Sequence, residues 1–215
     1  MPDPGSTDRT RIRRLPELAI TEQQTLYDVL DAGLVAHVSV LDGGLPYVVP
    51  VACARSGARV LFHGSSGSRL FTTLAEGQPT CLTVTLLDGL VIARSAFESS
   101  MNYRSVMVLG SCSVVPDSDK TDALRVITDH LLPGRWDSLR PVTRKELAAT
   151  LVLSLALDEC SVKIRTGGSD EPVEDHNWPV WAGVLPIRES FGEPVPMADL
   201  DPDIDVPEHV RKMSR

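Results

Sequence analysis

Apolar positions recur with two periods along this chain, and the change of period marks its elements. In TEQQTLYDVLDAG, Leu26, Val29 and Leu30 fall at helical spacing between Thr21, a capping residue, and Gly33, a stop; this predicts a short amphipathic helix. LVAHVSVL then switches to period two, with Ala36, Val38 and Val40 alternating against His37 and Ser39. Asp42-Gly43-Gly44 reads as a tight turn into LPYVVPVACA, and Ser56-Gly57 as another into ARVLFHG. SGSRLFTTLAEG places Leu70, Phe71 and Leu74 on one helical face and closes at Gly77.

In TCLTVTLL, Leu82, Val84 and Leu86 share one side, and Asp88-Gly89 is expected to turn into a further strand, LVIARS. NYRSVMVLGSCSVV reads as a long strand bent at Gly110. SDKTDALRVITDHLL spaces Leu124, Ile127 and Leu131 as a helix, and RKELAAT is a shorter one. TLVLSLALDECSVKIR closes the pattern with two strand-like runs, the second alternating Cys160, Val162 and Ile164 with polar residues. Six or seven strands at hairpin spacing with helices inserted predict an α+β, mainly β fold: an antiparallel barrel with peripheral helices.

The ends depart from this pattern. Residues 1–14 read as a flexible arm, 15–166 as the barrel domain, and 167–215, rich in Pro, Gly, Asp and Glu, as a tail that wraps the barrel and ends in disorder. The chain has 215 residues, 42% of them hydrophobic, which suits one domain with decorated ends. Its longest apolar runs are short of a membrane span, and no apolar stretch follows the basic residues near the start. These features predict a cytoplasmic protein with no membrane partner. A net charge of -8 disfavours nucleic acid as a partner but leaves room for a local phosphate pocket. The four cysteines have no CxxC spacing and read as reduced core residues, and the five histidines form no metal-ligand set.

Three segments carry candidate chemistry. VLFHGSSGSR sets glycines, serines and Arg69 between a strand and a helix, a composition that suits a phosphate dianion and equally an ordinary polar loop. In MNYRSVMVLG, Tyr103, Arg104 and Ser105 open an otherwise apolar strand, where an arginine needs a partner or a wet groove. In PYVVPV, Pro50 removes a ladder donor and predicts an edge or bulge, whose free backbone groups could meet a planar ligand.

In their order and spacing these segments resemble the FMN-binding split-barrel family of pyridoxamine 5'-phosphate oxidase-like proteins, in particular the flavin-nucleotide-binding branch with the nitroimidazole-resistance proteins. VKIRTG and PVWAGVLPI extend the resemblance, which covers about residues 15–195. It implies a homodimer of split barrels with FMN at the interface. Backbone groups of Val48, Val49, Pro50 and Val51 would meet the flavin edge, and Gly64, Ser66, Ser68 and Arg69 would lie at the phosphate. Tyr103, Arg104 and Ser105 match the strand flanking the flavin, and Trp181 a covering segment. His63 matches a histidine beside the site; with Tyr103 it would orient or protonate a small-molecule electron acceptor.

The chain departs from the vitamin B6 enzymes themselves. It lacks their basic residues in YVVPVA and has Leu70 where they carry a lysine. The function so implied is an FMN-dependent oxidoreductase acting on small electron-poor molecules such as nitro compounds. The alternative is a non-catalytic carrier or sensor of flavin or haem.

Overall fold

The computed structural model describes residues 1–213. Ten strands run in chain order: β1 Ala19–Ile20, β2 Val35–Asp42, β3 Leu45–Ser56, β4 Arg59–Ser65, β5 Pro79–Ile92, β6 Ser100–Ser111, β7 Ser113–Val114, β8 Thr150–Ala156, β9 Glu159–Arg165 and β10 Gly183–Pro186. Five helices accompany them: α1 Gln23–Ala32, α2 Arg69–Ala75, α3 Lys120–Leu131, α4 Arg144–Ala149 and α5 Glu208–Arg211. Every pairing is antiparallel, in the order β1-β9-β6-β5-β2-β3-β4-β8-β7, with β10 joined to β5. The sheet curls without closing, which is the expected split barrel in an α+β fold.

Alternation along the strands builds the core. Val38, Leu82, Val84, Val106, Val108 and Val162 turn inward and are fully or almost fully buried. Leu26, Val29 and Leu30 of α1 join that cluster, each contributing roughly 1.5–3 kcal/mol by leaving water. A second, smaller cluster forms where Ala123 and Ile127 of α3 cover Ala54, Leu61 and Val152 on the outer face of β3, β4 and β8. The rest of the outer face, on β2, β5 and β6, has no helix over it.

Several sequence expectations change. Asp88-Gly89 does not turn: β5 runs through it, and a bulge between Leu87 and Gly89 takes up the extra residue. The reversal comes later, between Ile92 and Ser100. The cap of α1 is Glu22 rather than Thr21, with no side-chain hydrogen bond. The strand count rises to ten because β1, β7 and β10 are two to four residues long, too short for a periodic signal. All four cysteines are free, and burial pushes the thiols of Cys53 and Cys160 up to about 11 and that of Cys112 to about 12.

The tail contributes β10, but Trp178, Trp181, Val195 and Met197 keep more than 60% of their surface exposed. The expected disorder at the chain end falls partly on 214–215, outside the described residues; before them α5 is formed. No helix among the described residues is long and apolar enough to cross a membrane.

One contact fixes the junction of β4 and α2. A Cβ built on Gly64 would lie 2.2 Å from the ring of Phe71, itself 5% exposed and unable to retreat. Gly64→Ala should therefore destabilise the fold by ~1–3 kcal/mol through overpacking. Urea unfolding of the cofactor-free protein would show this as a lower midpoint at unchanged slope.

Candidate functional site

The split lies between β3 and β4. Their ladder holds only from Cys53↔Phe62 to Ser56↔Arg59. Beyond it β4 stays with β8, from Arg59↔Ala156 to Ser65↔Thr150, while residues 45–52 of β3 stay with β2. The β3 edge facing the gap therefore has no ladder partner along Val48, Val49, Pro50 and Val51. Backbone N–H and C=O groups that face such a gap need water or a ligand. Pro50, opposite His37, is the one residue there with no N–H to satisfy.

Across the gap stand His63 and the loop from Ser65 to Ser68. The loop amides are already used: Ser66 N–H donates to Ala149, Ser68 N–H to the Ser65 carbonyl, and Gly67 N–H to Ser65 Oγ. An anion would therefore meet the hydroxyls of Ser66 and Ser68 and the guanidinium of Arg69, rather than a nest of loop amides. Arg69 is held at the mouth of the gap by Asp42 of β2, at 2.9 Å, and lies over the ring of Tyr47 of β3, at 5.0 Å. Its side chain remains 67% exposed, so one face of the fork is open. Asp42 and Tyr47 are site residues that the sequence showed only as a turn aspartate and a strand aromatic.

His63 is on the outer face of β4, and partial burial lowers its pKa below the ordinary 6.5. Near neutral pH the imidazole is thus uncharged, with a lone pair available to a proton or a metal.

The structure places the remaining candidates elsewhere in the chain. Tyr103, Arg104 and Ser105 sit on β6, three strand spacings from β3, or ~14 Å at the usual interstrand distance. Alternation then separates them. Tyr103, opposite Leu87, and Ser105, opposite Thr85, belong to the uncovered outer face. Arg104 points to the other face and makes a two-pronged pair with Asp88 at 2.8 and 3.0 Å. That pair raises the guanidinium pKa, chiefly through its hydrogen bond to Asp88. It lines an open cleft of about 900 Å³ between the start of β2, β5 and tail residues 187–191.

Trp181 is further off, beside β10, where a Cβ on Gly183 would meet its ring at 2.9 Å. One chain therefore gathers Val48, Val49, Pro50, Val51, His63, Gly64, Ser66, Ser68 and Arg69 around the split, and leaves Tyr103, Arg104, Ser105 and Trp181 apart from it. Gly64 has a packing role there, set by Phe71.

The outer rows of β2, β5 and β6 carry no lysine, arginine or carboxylate: they read Val35, His37, Ser39; then Cys81, Thr83, Thr85, Leu87; then Tyr103, Ser105, Met107, Leu109. Val35 is 48% exposed and Leu87 38%.

The family model described as Pyridoxamine 5'-phosphate oxidase matches residues 22–164. Among solved structures, a flavocytochrome from Azotobacter vinelandii is 45% identical over 100% of this chain and 99% of its own, with a TM-score of 0.92. An FAD and heme binding protein from Mycobacterium smegmatis is 41% identical over 92% and 97%, with a TM-score of 0.89. A candidate 5-nitroimidazole antibiotic resistance protein from Bacteroides thetaiotaomicron shares the fold at 20% identity over 68% and 86%, with a TM-score of 0.58. No curated protein matches the chain significantly.

The environment of His63 sets one measurable value. In a histidine-resolved NMR titration its midpoint should lie below 6.5. A His63 midpoint at or above 6.5 would mean that the gap is fully hydrated around the ring.

Proposed function

The chain belongs to the pyridoxamine 5'-phosphate oxidase family, and within that family we propose that it is a homodimeric redox protein that binds a flavin and haem. The observation that carries this reading is the similarity to the flavocytochrome and to the FAD and heme binding protein, which runs through the arm and tail as well as the barrel. The flavin is proposed as FAD rather than the FMN implied by the sequence resemblance, because the Mycobacterium smegmatis protein is an FAD binder. Likeness to the nitroimidazole-resistance protein is one of fold and supports no nitro substrate.

The donors at the split fit such a cofactor. The unpaired β3 edge at Val48–Val51 gives a ring system backbone donors and acceptors in an apolar wall, since Val48 is 63% exposed. Ser66, Ser68 and the open side of Arg69 would hold phosphate oxygens, with Asp42 and Tyr47 aiming the guanidinium. A bound flavin supplies hydride or single-electron transfer. The protein's share is to orient it, exclude water and hold a proton. His63, uncharged near neutral pH, would accept that proton or ligate a haem iron. Tyr103 and Ser105 lie too far along the sheet to serve the split of their own chain and would serve that of a second copy, whose uncharged outer face would pack against this one. Trp181, exposed on the tail beside β10, would cover the flavin.

Pigment extraction with mass identification tests the reading. FAD and protohaem should both leave the denatured protein, and Arg69→Ala should weaken FAD by ~1.5–3 kcal/mol, the range of a charge-assisted hydrogen bond, while leaving riboflavin nearly unchanged. A colourless protein that takes up neither added cofactor would end the proposal.

The dimer has its own check. Val108 is fully buried in the core whereas Met107 faces outward, so Met107→Arg puts a charge in the proposed contact without touching the core. Light scattering and absorbance should then report loss of dimer and of flavin together. Retention of both would remove the shared-site model.

A further inference from the structure

Residues 187–191 of the tail border the cleft beside Arg104, and His209 of α5 rests against Gly134 after α3. Between those two anchors the chain has little hold on its own barrel. Met197–Leu200 and Asp201–Ile204 close two local turns, and the other contacts recorded there are also local. Yet Val195 is 89% exposed, Met197 76% and Ile204 58%. So much exposed aliphatic surface on a proline-punctuated segment is characteristic of a surface awaiting a partner.

The pattern of that segment states the partner's chemistry. Asp199, Asp201, Asp203 and Asp205 alternate with Leu200, Pro202 and Ile204. Drawn out as an extended strand, the carboxylates would line one face and the apolar residues the other. From 193 to 205 there is no lysine or arginine, and among the described residues Asp205 alone of the four aspartates has an ion-pair partner, Arg211 at 3.7 Å.

The complementary surface is at the other end of the chain. Arg11, Arg13 and Arg14 lead into Leu15, which is held at φ 55° and left 46% exposed. A leucine in that left-handed region is strained, so an apolar knob is presented amid arginines against the backbone's own preference. Lys163 of β9 donates to the Arg14 carbonyl and places another cation beside the turn. Arg13 and Arg14 have no ion-pair partner among the described residues. Residues 192–207 turn twice and are held at both ends; drawn out they give at most ~50 Å of contour, so their middle can stand ~25 Å off its own barrel, against a radius of gyration of ~17 Å for a globule of this length.

We propose that residues 193–205 of one chain dock on the 11–15 turn and the neighbouring Lys163 of a second copy, the aspartates meeting the arginines and Leu200 or Ile204 packing on Leu15. The inference rests on the dimer proposed above and adds to it a reciprocal arm that crosses from one subunit to the other.

Mixing two full-length single variants, Leu15→Cys and Ile204→Cys, under mild oxidation tests it. A disulfide-linked dimer should form well above the wild-type background, and should be lost when D199N/D201N/D203N/D205N is added to the Ile204→Cys chain. The quadruple variant alone should raise the dimer dissociation constant about ten-fold in sedimentation at low salt and flatten its salt dependence. A wild-type dimer with no cross-link and an unchanged constant overturns the docking while leaving the dimer intact. A monomeric wild type overturns both. A disulfide formed within one chain of the L15C/I204C double variant, at a concentration where dimers are diluted out, shows that the tail folds back on its own arm and also overturns the proposal.

Discussion

Everything in this molecule that bears on ligand binding depends on β3 and β4 parting after four residue pairs. At its start β4 is bonded on both edges, to β3 for four pairs and to β8 for seven; past Phe62 only the β8 edge stays bonded. At the far end of β4 stands α2, whose Phe71 lies against Gly64 so closely that no side chain fits between them. With Leu70 and Leu74 also buried, the helix is fixed at the barrel end, beside the point where the two strands have parted. Unsatisfied backbone on β3 is the unavoidable by-product, and a surface of that kind recognises flat, polar-edged molecules without dedicated side chains.

Three arginines of the barrel are each aimed by an aspartate. Asp42 aims Arg69 at the mouth of the split, Asp88 aims Arg104 in the cleft, and Asp31 aims Arg55, which also stacks over Tyr27. These pairs are partly exposed, so their net contribution to folding is small. Their effect is geometric: a guanidinium that would otherwise sample many rotamers presents one remaining edge in a fixed direction. The same pairing lowers the positive potential available to an anion, so phosphate binding at Arg69 depends on hydrogen-bond direction more than on charge.

Much of this architecture was legible in the sequence. Period-two runs located β2, β5 and β9, the Ser56-Gly57 turn opened β4, and the glycine–serine loop before Arg69 marked its end. Pro50 pointed to an edge, and the structure has one. What could not be read was how far each edge would stay paired, because the apolar pattern of β4 reports the faces it buries and not the length of its two ladders. Asp88-Gly89 has a turn-like composition, and only the uninterrupted ladder to β6 makes it a bulge. The partner of Arg69 lies 27 residues away in a hairpin turn, a separation that no local pattern reports. Tyr103, Arg104 and Ser105 form one motif in the sequence, yet a pleated strand sends its middle residue to the opposite side. The three short strands have too few residues to show any period.

The bulge at Asp88 also changes the parity of the strand. Before it, the even-numbered residues of β5, Leu82 and Val84, face the core; after it, Gly89 and Val91 do. The supernumerary residue is itself put to use, since its carbonyl accepts from Ile187 where the tail leaves β10 and its carboxylate engages Arg104. Insertions and deletions in this stretch of an evolving gene are therefore filtered by arithmetic. A change of one codon inverts the apolar side of the distal hairpin unless a bulge such as this one is gained or lost with it, whereas a change of two preserves it.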